Sequence, residues 1–451
     1  MATATLQAPM HSKDWLDRLL SVIAEVHAHE GLTALLLTAN LFLLLTAYYI
    51  IKPVREALIL VGGGAELKSY SAGFQAVLLL ALVPAYGAVA SKVSRIRLIN
   101  FVFLFFASNL VIFYLLSRIA VPLGIAFFVW VSIFNVMVVA QLWSFANDIY
   151  SLEQGKRLFP IIGVGASVGG VAGSAITALL VRPLGVYQLM LVSAAILVLC
   201  LALTNVVHRR EKAGLRDAAS RKKVEEPLAP EGGFQLIRRQ RYLLFIALLI
   251  LVLNLVNSNG EYMRDKVFTQ AAQRAVAAGT AGGLNELKLL GTYSADFQFC
   301  QNLLSLLIQF FLVSRVFKYL GVRGSLVVSP VIALCSYSLI AGAPIFAFVW
   351  VGKVLENSTD YSLMNTVRGA LYLPTSREAK YKAKQAIDTF FVRFGDVLSS
   401  MSVFAGVRLL GVGIRSMAAF NVVAVAVWLL LATGVIREHR KLTAAQGVQA
   451  A

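Results

Sequence analysis

Charge is scarce in this chain of 451 residues: 14% are Asp, Glu, Lys or Arg, against about a quarter in soluble domains. Histidine is scarcer still. His11, His27, His29, His208 and His439 stand outside the long apolar runs, and no HExxH or GxSxG motif occurs, which excludes a clustered-histidine metal centre and the common hydrolase sites. Cys200, Cys300 and Cys335 sit within or beside apolar runs, too scattered for a disulfide framework or a zinc cluster. Gly163, Gly165, Gly169, Gly170 and Gly173 have glycine-loop spacing, but they lie inside an apolar run and read as close helix packing. No cofactor is expected, and no enzyme.

What the chain has instead is apolar length, with 58% of residues hydrophobic. Runs long enough to cross a hydrocarbon core of about 30 Å recur at 32–60, 70–91, 98–117, 120–148, 158–182, 186–207, 242–268, 287–314, 324–343, 345–373, 384–407 and 417–436. They are continuously apolar rather than alternating, which predicts helices and not a barrel. The fold class expected is an all-α polytopic membrane protein with twelve transmembrane helices. A polar stretch at 208–240, with Arg221-Lys222-Lys223, Pro227 and Pro230, divides the runs six and six. The organisation read from this is an amphipathic N-terminal segment (1–31), a six-helix bundle (32–207), a basic linker (208–241), a second bundle (242–436) and a tail (437–451). Phe128-Val129-Trp130-Val131 opens the fourth run and Phe348-Val349-Trp350-Val351 the tenth. Those are equivalent positions in a 6+6, major-facilitator-like arrangement.

The basic excess, +18 net, sorts by loop. Twenty-seven of the 41 Lys and Arg residues fall on the side of both termini and the linker. The opposite loops receive nine: Lys68, Arg118, Arg182, Arg264, Lys266, Arg274, Lys288, Arg408 and Arg415. The positive-inside rule therefore places both termini in the cytoplasm. Most of the charge is orientation, so no nucleic-acid partner is expected. Residues 1–31 carry Asp14, Asp17, Glu25 and Glu30 and no cleavage-like site, so no signal peptide is expected there. Trp15, Leu16, Leu19, Leu20, Ile23 and Val26 form a helical apolar stripe suited to the membrane interface.

The informative charges are those kept inside the runs, because an ionisable residue at the centre of a membrane helix costs roughly 2.5–3.5 kcal/mol unless it faces a cavity or a partner. Lys52 and Arg55 lie in the first run, with Glu56 beside them. Asn254, Asn257, Ser258, Glu261 and Asp265 make one face of the seventh, and Lys353, Asn357, Asp360 and Arg368 one stripe of the tenth. The eighth adds Gln298, Gln301, Asn302, Ser305 and Gln309, the fourth Asn135 and Asp148, and the eleventh Asp388, Arg393 and Asp396. Cations with few anions on the first, seventh and tenth runs point to an anionic substrate, since Arg grips phosphate or carboxylate bidentately. The substrate-contacting residues expected are Arg55, Lys52, Glu261, Asn257, Arg368, Asn135, Lys353 and Asp360. Asp148, Arg157, Lys384 and Asp388, at inner ends, would latch the cytoplasmic side.

In these residues the chain resembles the ATP/ADP (NTP/NDP) translocase family of plastids and intracellular bacteria. Tyr49-Ile50-Ile51-Lys52-Pro53-Val54-Arg55-Glu56 resembles that family's first-helix block, with Arg55-Glu56 on its Lys-Asp pair. Leu142-Trp143-Ser144-Phe145-Ala146-Asn147 and Lys156-Arg157-Leu158-Phe159-Pro160 resemble its Trp-Gly-Phe-Ala-Asn and Lys-Arg-Phe-Tyr-Pro segments. Glu261 falls on its acidic position in the seventh span. Tyr361-Ser362-Leu363, Tyr372-Leu373-Pro374 and Lys382 to Asp388 frame Arg368 in the place of its second essential lysine. Both basic positions are arginine here, and Asn135 is the nearest polar group where the family carries an acid. The resemblance implies nucleotide exchange by alternating access, in a monomer of the bacterial inner membrane. The alternatives are a proton-coupled carrier of another anionic metabolite, with Glu261 as proton site, and a non-transporting scaffold docking through the linker.

Overall fold

A computed structural model describes residues 26–27, 30–90, 93–150, 152–214, 232–376 and 378–445. The amphipathic stripe, apart from Val26, and most of the basic linker lie outside them. The described chain is helical: α1 (Gly31–Ala90), α2 (Arg95–Ser117), α3 (Gly124–Ile149), α4 (Leu152–Leu184) and α5 (Gln188–Gly214), then a short α6 (Gly233–Arg239). The second half has α7 (Arg241–Ala277), α8 (Glu286–Leu307), α9 (Val313–Gly342), α10 (Phe346–Thr359), α11 (Asn365–Leu371), α12 (Lys384–Leu409) and α13 (Ile414–Ala445).

Nine helices among the described residues are long and apolar enough to cross a membrane. Two of these are overlong, Gly31–Leu82 with 52 residues and Glu286–Gly342 with 57. Each is broken by glycine. In α1 the break is Gly63–Gly64, where Gly64 has φ 70° and ψ −170°, and in α9 it is Gly321 at φ 62° and ψ −179°. A side chain is strained in that region, so glycine permits the reversal. The tenth run, through α10 and α11, is not among the nine, because Lys353, Glu356, Asp360 and Arg368 interrupt its apolar character.

The α1 and α4 helices meet through glycine. A Cβ at Gly165, Gly169 or Gly173 would come within 2.3, 2.4 and 2.4 Å of the Thr38, Phe42 and Thr46 carbonyl oxygens. The four-residue repeat on both helices runs in the same direction, so they lie parallel with backbones in contact. Among the described residues, all five π-helical stretches fall in the second half: Ile308–Leu312, Asp360–Met364, Ala379–Ala383, Ile387–Phe391 and Phe404–Leu409. Such stretches loosen a helix locally and recur at functional sites.

One end of the bundle carries α6 and the start of α7, here the linker end, and the far end carries the Gly63–Gly64 break. Hydrogen bonds and ion pairs joining the halves run from mid-bundle to the far end. Asn302 Nδ2 donates to the Gly170 carbonyl at 3.0 Å, Lys266 pairs with Glu66 at 2.5 Å, and Lys288 Nζ donates to the Arg182 carbonyl at 3.4 Å.

Candidate functional site

Two neighbouring cavities, sharing wall residues, lie between the halves. One, about 240 Å³, is lined by Lys52, Arg55, Asn135, Asn257, Glu261, Arg264, Asn357, Tyr361 and Arg393 among others. A smaller one toward the far end, about 170 Å³, shares Arg55 and Glu261 and adds Lys68, Tyr262, Asp265 and Ser399. The first arm of α1, α3, α7, α8 and α10, with Gln75 of the second α1 arm and Arg393 of α12, supply the first cavity, and the start of the second α1 arm with α12 closes the second.

The charges in these walls form a chain of pairs. Arg55 is hydrogen-bonded to Glu56 and donates from Nη1 to Ser132 Oγ at 3.3 Å, with its guanidinium 4.7 Å from the centre of the Phe128 ring. Lys68 contacts Glu56, reaches across the halves to Asp265 Oδ2 at 2.5 Å, and lies 4.0 Å from Glu261 Oε2. Arg264 Nη2 bridges Glu261 at 2.6 Å and Asp265 at 2.7 Å. Lys353 donates to Asn257 Oδ1 at 2.8 Å and pairs with Glu356 at 3.0 Å, and Tyr337 donates to the same Glu356 oxygen at 2.7 Å. Asn357 Nδ2 donates to Glu261 Oε1 at 2.9 Å. Arg55, Lys68, Arg264 and Lys353 thus face Glu56, Glu261, Asp265 and Glu356, four against four.

Lys52 stands outside this balance. Its ammonium lies 5.3 Å from the Tyr49 ring centre and 5.9 Å from that of Tyr361, and among the described residues it makes no ion pair. On the linker side, Tyr49 and Tyr361 also line a third cavity of about 570 Å³, walled by Ser167, Asn302, Ser305, Gln309, Asn365 and Thr366 and free of charged side chains.

Of the residues expected from sequence, Lys52, Arg55, Asn135, Asn257 and Glu261 line the central cavity, and Lys353 is held against Asn257 behind it. Asp360 opens a π-helical stretch, with its buried Oδ1 unpartnered among the described residues. Arg368 stands apart, donating to Asp388 Oδ1 at 2.9 Å, with Lys384 on the other oxygen at 2.8 Å. Arg157 pairs with Glu30 at 3.0 Å, and Arg95 with Asp148 at 3.4 Å. Each expected latch residue therefore has a partner within its own half. Lys68 and Arg264, counted from sequence as loop charges at the far end, are corrected by the structure: both are buried in helices at the centre of the network. Lys68 falls four residues beyond Gly64, in the first turn of the second arm, and Arg264 lies three residues past Glu261 on a helix that continues to Ala277.

The bundle resembles the nucleoside transporter NupG (TM-score 0.60, 15% identity, 90% of this chain and 98% of that one). It also resembles the POT family transporter PepTSo (TM-score 0.61, 11% identity, again 90% and 98%). The fold shared with these two transporters is an all-helical bundle of two halves, here with a charged cavity between them.

Sequence comparison narrows the class. ADP,ATP carrier protein 1 of Chlamydia muridarum is 27% identical over 343 residues, and its namesake in Chlamydia trachomatis is 26% identical. In both cases the match covers 66% of this chain and 62% of the relative, so it spans under two thirds of the relatives' length. ADP,ATP carrier protein 4 of Rickettsia bellii is 21% identical over 306 residues, 58% of this chain and 55% of that one. The chain belongs to the TLC ATP/ADP transporter family, which it matches over residues 124–262 and 291–439. Family and structural neighbours are transporters, not enzymes.

Proposed function

We propose that this protein exchanges nucleotides, ATP for ADP or another NTP for NDP, across a bacterial inner membrane by alternating access. The observation that carries the proposal is Lys52, a cation without a carboxylate partner among the described residues, set beside Arg55 in a cavity whose other charges are matched. A phosphate chain would meet Lys52 and Arg55, while the nucleoside would lie in the uncharged amide- and hydroxyl-lined cavity across Tyr49 and Tyr361. Volumes of about 240 and 570 Å³ suit a ligand of that size. Glu261 accepts from both Arg264 and Asn357, an arrangement that favours a fixed carboxylate over a proton carrier.

Twelve spans accommodate the overlong helices. A 57-residue helix would measure about 85 Å, nearly three times the hydrocarbon core. Splitting it at Gly321 and α1 at Gly63–Gly64, and adding the run through α10 and α11, turns nine into twelve. With both termini cytoplasmic, the linker end faces inward, and the ion pairs at the far end close the outer side. Arg368, Asp388 and Lys384, with Asp148 and Arg157, would re-pair across the halves when the inner side closes.

Proteoliposomes loaded with ATP test the reading. External ADP is expected to release internal ATP, and Lys52→Ala to raise the KM for nucleotide about tenfold or more, since a charge-assisted phosphate contact is worth roughly 1.5–3 kcal/mol. Absence of nucleotide-dependent release from folded protein would overturn it.

A further inference from the structure

At the linker end, away from the central cavities, α7 and α13 part to leave a cleft of about 590 Å³ on the outside of the bundle. Its mouth is ringed by Arg241, Arg437, Arg440 and Lys441. The single acid in the wall, Glu438, pairs with Lys441 at 2.6 Å. The three guanidinium groups have no carboxylate or hydrogen-bond partner among the described residues, and all three arginines are exposed. Arg241 is the first residue of α7, whose first turn holds no acid, so the positive end of that helix adds to the field.

Below the cations the walls become apolar. On α7, Arg241, Leu244 and Leu248 follow one another at i, i+3 and i+7, and on α13 Val427, Leu430 and Gly434 lead to Arg437 and Lys441 along one face. Leu244, Leu248, Val427 and Leu430 are 39, 37, 43 and 69% exposed. Gly434 lets the helices close beneath the cleft, since a Cβ there would lie 2.8 Å from the Phe245 ring. Each stripe is thus cationic at the level where the apolar run ends and oily beneath it. A soluble anion would use only the upper part, whereas a phospholipid matches both.

We propose that this cleft binds the phosphate headgroup of an anionic phospholipid from the leaflet at the linker end, with an acyl chain along the α7 and α13 stripes. Basic pockets between membrane helices at the interface recognise such headgroups.

The test uses the full chain in detergent titrated with dioleoylphosphatidylglycerol or dioleoylphosphatidylcholine, read by native mass spectrometry and thermal shift. One phosphatidylglycerol is expected to be retained in preference to phosphatidylcholine and to raise the melting temperature. The triple variant Arg241→Gln/Arg437→Gln/Arg440→Gln should bind it at least about tenfold more weakly, while the charge-keeping triple change to Lys retains binding. Arg315→Gln/Lys318→Gln, removing two other basic residues, should have no effect. Undiminished preference in the Gln triple variant, or equal loss in the Arg315/Lys318 control, overturns the site. A stabilisation reproduced by inorganic phosphate or ATP and abolished in the Gln triple variant would make it a soluble-anion site and overturn the lipid assignment.

Discussion

Lys68 and Asp265 should behave as one unit. They hold the two halves together at 2.5 Å, with side chains 10 and 2% exposed. Lys68→Met leaves Arg55 and Arg264 to balance Glu56, Glu261 and Asp265, one buried carboxylate too many, and Asp265→Leu leaves one cation too many. Removing one partner of a buried pair costs about 3–5 kcal/mol. The double variant keeps Arg55 with Glu56 and Arg264 with Glu261, so most of that penalty should vanish, giving a coupling of about 2 kcal/mol, roughly thirtyfold in an equilibrium constant. The reporter is Ser399→Cys, buried in the wall of the small cavity, in a background where Cys300 and Cys335 are serine and the buried Cys200 is kept. Labelling by a membrane-impermeant maleimide from the far side of oriented proteoliposomes reads how often that end opens. Both singles should label much faster than the parent, and the double variant should return most of the way. Single effects that add within about 0.5 kcal/mol, in monodisperse protein, would refute the view that the network closes the far end as a balanced set.

Two further perturbations probe the scaffold. Gly169→Ala places a Cβ 2.4 Å from the Phe42 carbonyl oxygen, so α4 must retreat from α1, with an expected loss of about 1–3 kcal/mol; an unchanged melting curve would contradict the close packing. Glu30 is pulled two ways: burial raises its carboxyl pKa, but hydrogen bonds from Arg157, the His27 N–H and Gln154, with the charge of Arg157, hold it below its ordinary value. A folded pKa depressed in this way stabilises the protein above the usual Glu range, and the contribution is lost as pH falls through the lowered value. Melting between pH 7 and 3 should therefore steepen in the parent and flatten in Glu30→Gln, and superimposable pH profiles would refute it.

Much of this architecture was legible because membrane helices announce themselves by length and glycine marks where they reverse. The gap between the first and second runs falls on Gly63–Gly64, that between the eighth and ninth on Gly321, and the glycine series of α4 packs against the α1 backbone as its spacing implies. The convergence of Lys52, Arg55, Asn135, Asn257 and Glu261 followed from helical periodicity and the 6+6 arrangement. Lys68 and Arg264 escaped for the reason that makes hydropathy useful: a charge near the end of an apolar run looks like the start of a loop. Only the three-dimensional pairing with Glu56, Glu261 and Asp265 shows that these helices continue past their charges. Arg368 lies apart from the cavity although sequence periodicity puts it on the Lys353 stripe, because a stripe on α10 and α11 is read as straight. The π-helical stretch Asp360–Met364 adds a residue to one turn between Lys353 and Arg368 and changes the facing of everything after it.

On the proposed reading, the balance of charge bears directly on why transport would be exchange rather than leak. Arg55, Lys68 and Arg264 are engaged by Glu56, Glu261 and Asp265, and the Lys68–Asp265 contact ties the halves together. Opening the far end without cargo means separating that contact with nothing to replace it, and each charge-assisted bond lost in the low-dielectric interior opposes the motion by about 1.5–3 kcal/mol. A polyanionic cargo changes the sum. Its phosphates enter beside Lys52, compete with the carboxylates for Arg55 and Lys68, and supply the negative charge that Asp265 gives up as the halves part. The same competition operates on return, so an empty carrier is held back while a loaded one is released. Lys52, the cation with no carboxylate to leave, is then the natural first contact for the incoming phosphate.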